Sequence, residues 1–218
     1  MAENISRDVW NVIDHDAALK LDLSRGIVNV RALARVIAKQ LEVRTTEEAI
    51  VSAIRRYPIS GKPLAPLDKA TSVARQSEIS TRSKIVNIAL VKDKEIQENL
   101  EKAFSIINFD RGEVLRMVQG DESIKVMVNE KNLKKLLEIF PRNKIIHVQK
   151  NLAEINLRLH PEAVSTPGII LVFTTELARN GINMVEVMSC VPEMMIFVEE
   201  KDALKAYETL FKFCQHSA

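Results

Sequence analysis

The sequence predicts an α+β protein in which a helical N-terminal module precedes an antiparallel sheet covered by helices. Residues 1–57 carry apolar side chains at three- and four-residue spacing, which is the period of an amphipathic helix. Residues 84–213 instead show strand and helix patterns in the order strand, helix, strand, strand, helix, and they show this order twice. Such an order builds an antiparallel sheet with helices on one face.

The last third of the chain gives the clearest pattern. Residues 154–160 alternate as a strand, a turn-rich loop follows, and residues 169–180 form an apolar helix pattern that stops at Gly181. Two further strands are expected over 182–189 and 193–199, and a second helix over 202–213. The segment therefore predicts a ferredoxin-like unit.

Residues 84–150 repeat this plan. An offset of 70 residues aligns the run 126–132 with the run 196–202, Ile85 with Ile155, and Val114 with Met184. We interpret the two segments as an internal duplication, so the prediction is two tandem ferredoxin-like βαββαβ units. Residues 144–150 would complete the first unit as an edge strand. The predicted organisation is a helical module over 1–60, a linker or wing over 61–83, a first unit over 84–150 and a second over 151–218.

The second unit resembles the ACT domain family, whose members are small-molecule sensing modules, and in particular the regulatory units of aspartokinases. The resemblance rests on Thr166-Pro167-Gly168 before a helix, on Gly181-Ile182-Asn183, and on the run 196–200 before an alanine-containing helix. It implies amino-acid binding at the loop before the first helix, and pairing of two such units. It does not extend to a kinase domain, because residues 1–218 leave no room for one beside these units.

The predicted ligand site is the loop before the first helix of the second unit. Pro167 at a helix start needs no N–H group, and Gly168 would expose the free N–H groups of the first turn, which can hold a carboxylate. Asn183 offers a donor and an acceptor from the neighbouring strand. The alternative is that these residues only start a helix and a turn. The proposed ligand-binding set is Ala163, Val164, Ser165, Thr166, Pro167, Gly168, Ile169, Asn183 and Met184.

The first unit is predicted to be a degenerate copy. In the 70-residue alignment, residues 96–98 (Ile-Gln-Glu) stand where the second unit has residues 166–168. The first unit therefore lacks the glycine that would let a backbone approach a ligand, and we expect it to be structural.

The N-terminal module resembles a helix-turn-helix in outline. Residues 29–41 and 46–57 form helical patterns joined by a short connection, with Ser6 and Thr45 as predicted caps of the first and fourth helices. Basic residues on the last two helices form a candidate nucleic-acid surface, although basic residues near a helix end also have a structural reason. The candidate set is Arg31, Arg35, Lys39, Arg55 and Arg56. Residues 58–83 lack periodicity and are expected to be irregular.

Composition and motifs exclude several classes of function. The hydrophobic content of 46% and net charge of +2 are those of an ordinary globular protein, and no apolar run reaches the length of a membrane span. The two cysteines, Cys190 and Cys214, form no metal or disulfide motif, which favours a cytoplasmic location. No catalytic motif, metal site or cofactor motif is present, and His160 is expected to be a loop histidine bonded to backbone.

The predicted function is therefore non-catalytic regulation. The protein would sense an amino acid through its second ACT-like unit, as a homodimer, and act as an amino-acid-responsive transcription regulator if the helical module binds DNA. The alternative is a regulatory subunit that acts on an enzyme by protein–protein contact, without nucleic acid.

Overall fold

The computed structural model describes residues 5–41, 45–59 and 65–215. The chain divides into two compact units, Met1–Ala65 and Pro66–Ala218. The first unit is helical, and the second combines helices with one antiparallel sheet. The predicted α+β class is thus confirmed.

The helical unit contains α1 (Ile5–Asp14), α2 (Ala17–Ser24), α3 (Val30–Leu41) and α4 (Glu47–Arg55). Its core is made by the apolar faces that the three- and four-residue spacing predicts. The Trp10 Nε1–H group donates to the Ala53 carbonyl at 2.9 Å, which joins α1 to α4. The buried side chains are Val9, Ile13, Leu23, Ala34, Ile37, Ile50, Ala53 and Ile54.

Two predicted caps are wrong. Thr46, and not Thr45, caps α4, because its hydroxyl oxygen accepts from the Ala49 N–H group at 3.3 Å. Ser6 lies within α1, where its hydroxyl accepts from Arg56 at 3.3 Å. The helix pair of the predicted helix-turn-helix is present as α3 and α4, but residues 42–44 of its connection lie outside the described residues.

The predicted linker also proves to be structured. Of residues 61–83, those at 61–64 lie outside the described part, and the remainder forms α5 (Ala65–Ala74) and the start of strand β1 (Glu78–Val91). Proline is tolerated in the first turn of a helix, so Pro66 does not prevent α5. Residues 78–83 do not show the alternation of apolar and polar residues that is typical of a strand, because most of their side chains are polar.

The sheet-bearing unit continues with two series of elements in the same order. The first series is β1, α6 (Lys94–Ile106), β2 (Leu115–Gln119), β3 (Ser123–Asn129) and α7 (Leu133–Ile139). The second series is β4 (Ile145–Arg158), α8 (Ile169–Arg179), β5 (Met184–Cys190), β6 (Glu193–Glu199) and α9 (Ala203–Gln215). We call residues 84–150 the first repeat and residues 151–215 the second repeat.

Both repeats contribute to one six-stranded sheet with the strand order β2-β3-β1-β4-β6-β5. The two long strands, β1 and β4, pair with each other at its centre. Residues 145–150 are therefore central, and their prediction as an edge strand is wrong. They pair with the second part of β1, while residues 78–82 of β1 pair with residues 154–158 of β4.

Each long strand changes register near its middle. Lys84 in β1 and Asn151 in β4 have positive φ angles of 58° and 57°, and the pairing of the two strands shifts between Arg82 and Ile85. Such an irregularity bends a strand and increases its twist. It lets the two parts of each strand serve different repeats.

The strand pairing corrects the predicted alignment of the repeats. Ile85 pairs with Asn129, as Leu152 pairs with Glu199, so Ile85 corresponds to Leu152 and not to Ile155. Leu115 and Met184 pair with the equivalent residues Val128 and Val198, so Leu115 takes the place expected for Val114. The 70-residue offset describes β3 and β6 but not the first strands.

The helices cover one face of the sheet with two apolar cores, one in each repeat. The sheet is curled, so that on its other face Lys125 of β3 contacts Glu186 of β5, although three strands separate β3 from β5 in the sheet. The fully buried carboxylate of Glu154 accepts from Arg82 at 3.1 Å and from Arg116 at 3.3 Å. Arg116 belongs to the first repeat and Glu154 to the second, so this pair ties the two repeats together.

Among the residues that the structure describes, no helix is both long enough and apolar enough to cross a membrane.

Candidate small-molecule site

A cleft of about 490 Å³ opens at one end of the second repeat. Its walls are the loop 159–168 between β4 and α8, the first turn of α8, and the turn between β5 and β6. This volume lies within the range of roughly 300–1,000 Å³ that is typical of small-molecule sites. The lining residues are Leu159, His160, Pro161, Ala163, Val164, Thr166, Gly168, Ile169, Ile170, Leu171, Ser189, Val191, Pro192 and Met194.

Local hydrogen bonds fix the loop that forms one wall. The Leu159 N–H group donates to the Pro192 carbonyl at 2.8 Å, which ties the start of the loop to the β5–β6 turn. A short 3₁₀ segment, Pro161–Ser165, then turns the chain towards α8. The buried Thr166 donates its hydroxyl to the Glu162 carbonyl at 2.7 Å. Hydrogen bonds within the chain therefore hold this wall of the cleft in place.

His160 has a structural role in this loop. Its Nδ1 atom accepts a hydrogen bond from the Glu162 N–H group at 3.3 Å and caps the 3₁₀ segment. This contact confirms the prediction of a loop histidine bonded to backbone.

Gly168 is favoured by its backbone conformation, and its open side faces α5. It precedes α8 with a φ of +96°, a conformation that side-chain-bearing residues rarely adopt. A Cβ atom at this position would lie 2.9 Å from Leu67 Cδ2 and 3.4 Å from Ala70 Cβ. The space that the missing side chain leaves is thus used by α5. We predicted that it would serve a ligand, and in this respect the prediction is wrong.

The first turn of α8 carries backbone N–H groups beside the cleft. The first N–H groups of a helix have no partner within the helix, and the position before α8 supplies no side-chain cap. Ile169, Ile170 and Leu171 of this turn line the cleft. Their amides and the positive end of the helix dipole can hold a carboxylate.

The structure brings together only part of the predicted ligand-binding set. Ala163, Val164, Thr166, Gly168 and Ile169 line the cleft, whereas Ser165 and Pro167 belong to the same loop without lining it.

Ser189 and Val191, at the C-terminal end of β5, line the cleft. Asn183 and Met184 lie at the other end of this strand. A strand rises about 3.3 Å per residue, so the length of β5 separates them from the cleft by about 20 Å. Asn183 is also exposed. The expected joint site of this loop and Asn183 does not form within one chain.

Sequence reasoning missed the β5–β6 turn as a wall of the site. The pairing of β4 with β6 places Arg158 opposite Glu193 and brings the loop after β4 to this turn, which is a long-range contact that no local pattern shows. The residues added by the structure are Leu159, His160, Pro161, Ile170, Leu171, Ser189, Val191, Pro192 and Met194.

The alignment of Thr166-Pro167-Gly168 with residues 96–98 is also wrong. Ile96 is a buried residue of α6, whose helix begins at Lys94 behind its own cap, Asp93. When Ile96 is placed on Ile169, the buried Leu100 falls on the buried Phe173 and the C-terminal ends of α6 and α8 coincide, while the last buried residues, Ala103 and Leu177, are one position out of step. Glu98 is then the counterpart of Leu171.

The candidate nucleic-acid residues are exposed on the helical unit. Arg31 and Arg55 line one surface depression, but Glu47 and Glu48 line it too, so its charge is mixed. Arg35 donates to the Arg31 carbonyl at 3.4 Å. Arg56 donates to Ser6 and to the Ser52 carbonyl, and Lys39 lies exposed in the last turn of α3.

The residues that the structure describes contain no group of three or more side chains placed to hold a metal ion.

Comparison with known proteins supports the fold. No family model and no curated protein matches the sequence. The aspartate kinase of Clostridium acetobutylicum is similar in structure, with a TM-score of 0.50 and 18% identity over 63% of this chain and 34% of that one. The aspartate kinase of Synechocystis gives a TM-score of 0.50 and 15% identity over 64% of this chain and 27% of that one.

The regulatory subunit of aspartate kinase from Thermus thermophilus matches at a TM-score of 0.49 and 15% identity, over 62% of this chain and 95% of that one. The chain thus spans about a third or less of the two whole kinases and nearly all of this subunit. Its sheet-bearing part has an ACT-like fold.

Proposed function

We propose that this protein is a non-catalytic regulatory protein that binds an amino acid in the cleft of its second repeat. The observation that carries the proposal is the cleft itself, which has a small-molecule volume and includes the first turn of α8 in its wall. The ligand carboxylate would meet the free N–H groups of that turn. The ACT resemblance of residues 166–168 agrees with this placement.

A thermal-shift screen with the twenty amino acids tests the proposal. A ligand that binds only the folded state adds about 2.7 kcal/mol of stability at a concentration of one hundred times Kd. We expect at least one amino acid to raise the unfolding temperature. Ser189→Phe, which would fill the cleft, should abolish the shift, while the matched change Gln119→Phe at the equivalent end of β2 should preserve it. A shift that survives Ser189→Phe would place the ligand elsewhere.

The site is proposed to act on the helical unit through α5, the first described element that follows this unit in the chain. Two contacts join α5 to the loop of the cleft. Gly168 packs against Leu67 and Ala70, and Lys69 pairs with Glu162 at 3.4 Å. The ion pair is exposed, so packing at Gly168 is expected to carry most of the coupling.

Hydrogen exchange tests this route. Binding of the amino acid found in the screen should slow exchange of the α5 amides and leave α7, the helix before the first half of β4, unchanged. Equal protection of α5 and α7 would mean a general stabilisation without a specific route.

For the output of the helical unit we propose DNA binding, which would make the protein an amino-acid-responsive transcription regulator. The observation in favour is that Arg31, Arg35, Lys39, Arg55 and Arg56 are all exposed on the adjoining helices α3 and α4. Phosphate contacts make affinity fall steeply with salt. Removal of Lys39 should lower the salt slope by roughly one.

The rival output is contact with an enzyme, which needs no nucleic acid. Absence of DNA retention at low salt would favour that rival. In that case Arg35 and Arg56 have the structural roles that their hydrogen bonds within the helical unit indicate.

We also propose that the protein is a homodimer that associates through its ACT-like repeats. The edge strands β2 and β5 carry backbone groups that no strand of the described sheet pairs on their outer side, and such edges are suited to association. Light scattering that shows a monomer at every concentration would contradict this.

A further inference from the structure

The two repeats place different side chains at equivalent exposed positions beside the start of their first helix. Gln97 and Glu98 follow the buried Ile96 of α6, as Ile170 and Leu171 follow the buried Ile169 of α8. The polar pair of the first repeat is thus an apolar pair in the second.

The neighbouring turns differ in the same way. The Lys92 N–H group donates to the Glu122 carbonyl at 3.1 Å, as Leu159 donates to Pro192, so the two turns are equivalent. The exposed residues of the first turn are Asp121 and Glu122, whereas those of the second are Val191 and Pro192. At four matched positions, polar or charged side chains are replaced by apolar ones.

These apolar side chains surround the cleft and remain in water. Ile170 and Leu171 are each 54% exposed, Val191 is 61% exposed, and Val164 of the loop is 68% exposed. Each of them lines the cleft. Single exposed apolar residues need no explanation, but a group of them around a cavity marks a binding surface.

The polar side chains of the cleft are largely engaged already. Thr166 donates to the Glu162 carbonyl and His160 accepts from the Glu162 N–H group, so both are used to hold the loop. The remaining lining is mainly aliphatic. A site of this composition gains free energy by removing apolar ligand surface from water, about 0.8 kcal/mol for each buried methylene.

We propose that the ligand of this cleft is an amino acid with an apolar side chain of at least three carbon atoms, such as leucine, isoleucine, valine or phenylalanine. Ile170, Leu171 and Val191 determine this specificity by covering the side chain. The inference rests on the proposed function, because it specifies the ligand of the same cleft. A charged side chain would lose its hydration against these residues.

Isothermal titration calorimetry with leucine, phenylalanine, alanine, aspartate and lysine tests the inference. Leucine or phenylalanine should bind at least about tenfold more tightly than alanine, since extra methylenes in an apolar pocket give about 10- to 200-fold discrimination. Aspartate and lysine should bind more weakly still. Aspartate or lysine binding as tightly as leucine would overturn the inference and leave the proposed function standing. No thermal shift with any of the twenty amino acids would overturn both.

Variants that give the second repeat the residues of the first provide a sharper test. Ile170→Gln with Leu171→Glu should weaken leucine binding by at least about tenfold. The fold should be retained because both positions are exposed, and circular dichroism checks this. The matched control Glu98→Gln should bind as the wild type does. Unchanged affinity in the double variant, together with loss of self-association in analytical ultracentrifugation, would assign the surface to a second copy and overturn the inference.

Discussion

The first and second repeats differ at the start of their first helix, which has a side-chain cap in the first repeat and none in the second. In the first repeat, Asp93 follows the strand closely and caps α6, because its carboxylate accepts from the Ile96 N–H group at 2.9 Å and pairs with Lys144. In the second repeat, residues 160–168 form a longer loop, and Gly168 before α8 offers no side chain to that helix. One repeat closes its helix end with its own carboxylate, and the other leaves that end beside a cleft.

The first repeat has a carboxylate of its own, that of Asp93, at the start of its helix α6. The hydrogen bond with Lys144 and the backbone N–H group of Ile96 hold the pKa of Asp93 below its ordinary value. The carboxylate is therefore charged at neutral pH, as the carboxylate of a free amino acid would be in the second repeat. The same end of the scaffold thus carries a structural cap in one repeat and an open cleft in the other, depending on the preceding loop.

The largest expected effect comes from Gly168→Val. A positive φ costs a residue with a side chain about 1–2 kcal/mol, and crowding against Leu67 and Ala70 adds about 1–3 kcal/mol. We therefore expect the free energy of unfolding to fall by about 2–5 kcal/mol, measured by urea denaturation. The change would destabilise the fold as well as the cleft, so it cannot serve as a test of binding alone.

Gly112 in the first repeat provides the matched control. Its φ is +70°, but a Cβ there would meet nothing within 4 Å. Gly112→Val should cost only the backbone term, about 1–2 kcal/mol. In a double-mutant cycle, Leu67→Ala should recover part of the loss caused by Gly168→Val. Equal losses at the two glycines would show that α5 imposes no packing demand on Gly168.

Glu113 should dominate the acid dependence of the first repeat. Its carboxylate binds Lys131 at 2.7 Å, the Asn108 N–H group at 2.9 Å and Asn132 at 2.7 Å, and these contacts lower the pKa of Glu113 to about 2. A lowered pKa gives stability that is complete above the ordinary value of 4.5 and is lost as the pH falls to about 2.

Glu113→Gln tests this window by urea denaturation between pH 7 and pH 2. The wild type should be more stable than the variant at pH 7, and the difference should shrink between about pH 4.5 and pH 2. A difference that stays constant across this range would rule out the charge of Glu113 as its source.

A smaller effect of the same sign is expected for Asp93. Asp93→Asn keeps an oxygen that can accept from Ile96 but removes the charge that Lys144 stabilises. Since the pKa of Asp93 is lowered from 3.8, the wild-type advantage should be present above that value and decline as the pH falls below it. Asp93→Ala, which also removes the cap, should lose more stability at pH 7 than Asp93→Asn. Identical losses would mean that the cap bond contributes nothing.

The sequence predicted the local pattern of this molecule better than its long-range arrangement. The helices of the first unit and the strand and helix order of both repeats follow from apolar spacing, which is a local property. The sharing of β1 and β4 between the repeats is a long-range property. Residues 78–83 are mostly polar, and only their pairing with residues 154–158 makes them a strand.

The candidate site shows the same limit. Residues 163–169 were found because a proline, a glycine and the following apolar run are a local helix-start signal. Val191 and Pro192 were missed because the pairing of β4 with β6 brings their turn to the loop. Gly168 was assigned the wrong neighbour, because no local pattern reveals that α5 packs against it.

The smallest expected effect is that of Asn183→Ala, and it decides how many chains form the site. Asn183 is exposed and lies before β5, while the cleft lies beyond the other end of that strand, about 20 Å away at about 3.3 Å per residue. If the cleft of a single chain binds the ligand, the affinity for leucine should be unchanged in calorimetry. Asn183 would matter only if a second copy brought its own residue to the cleft, because no motion within the sheet could bridge that distance. A loss of about 5- to 150-fold, the 1–3 kcal/mol expected for one lost buried hydrogen-bond partner, would therefore place the site between two chains. Such a loss should then disappear at protein concentrations where the chain is monomeric, which a dilution series can show.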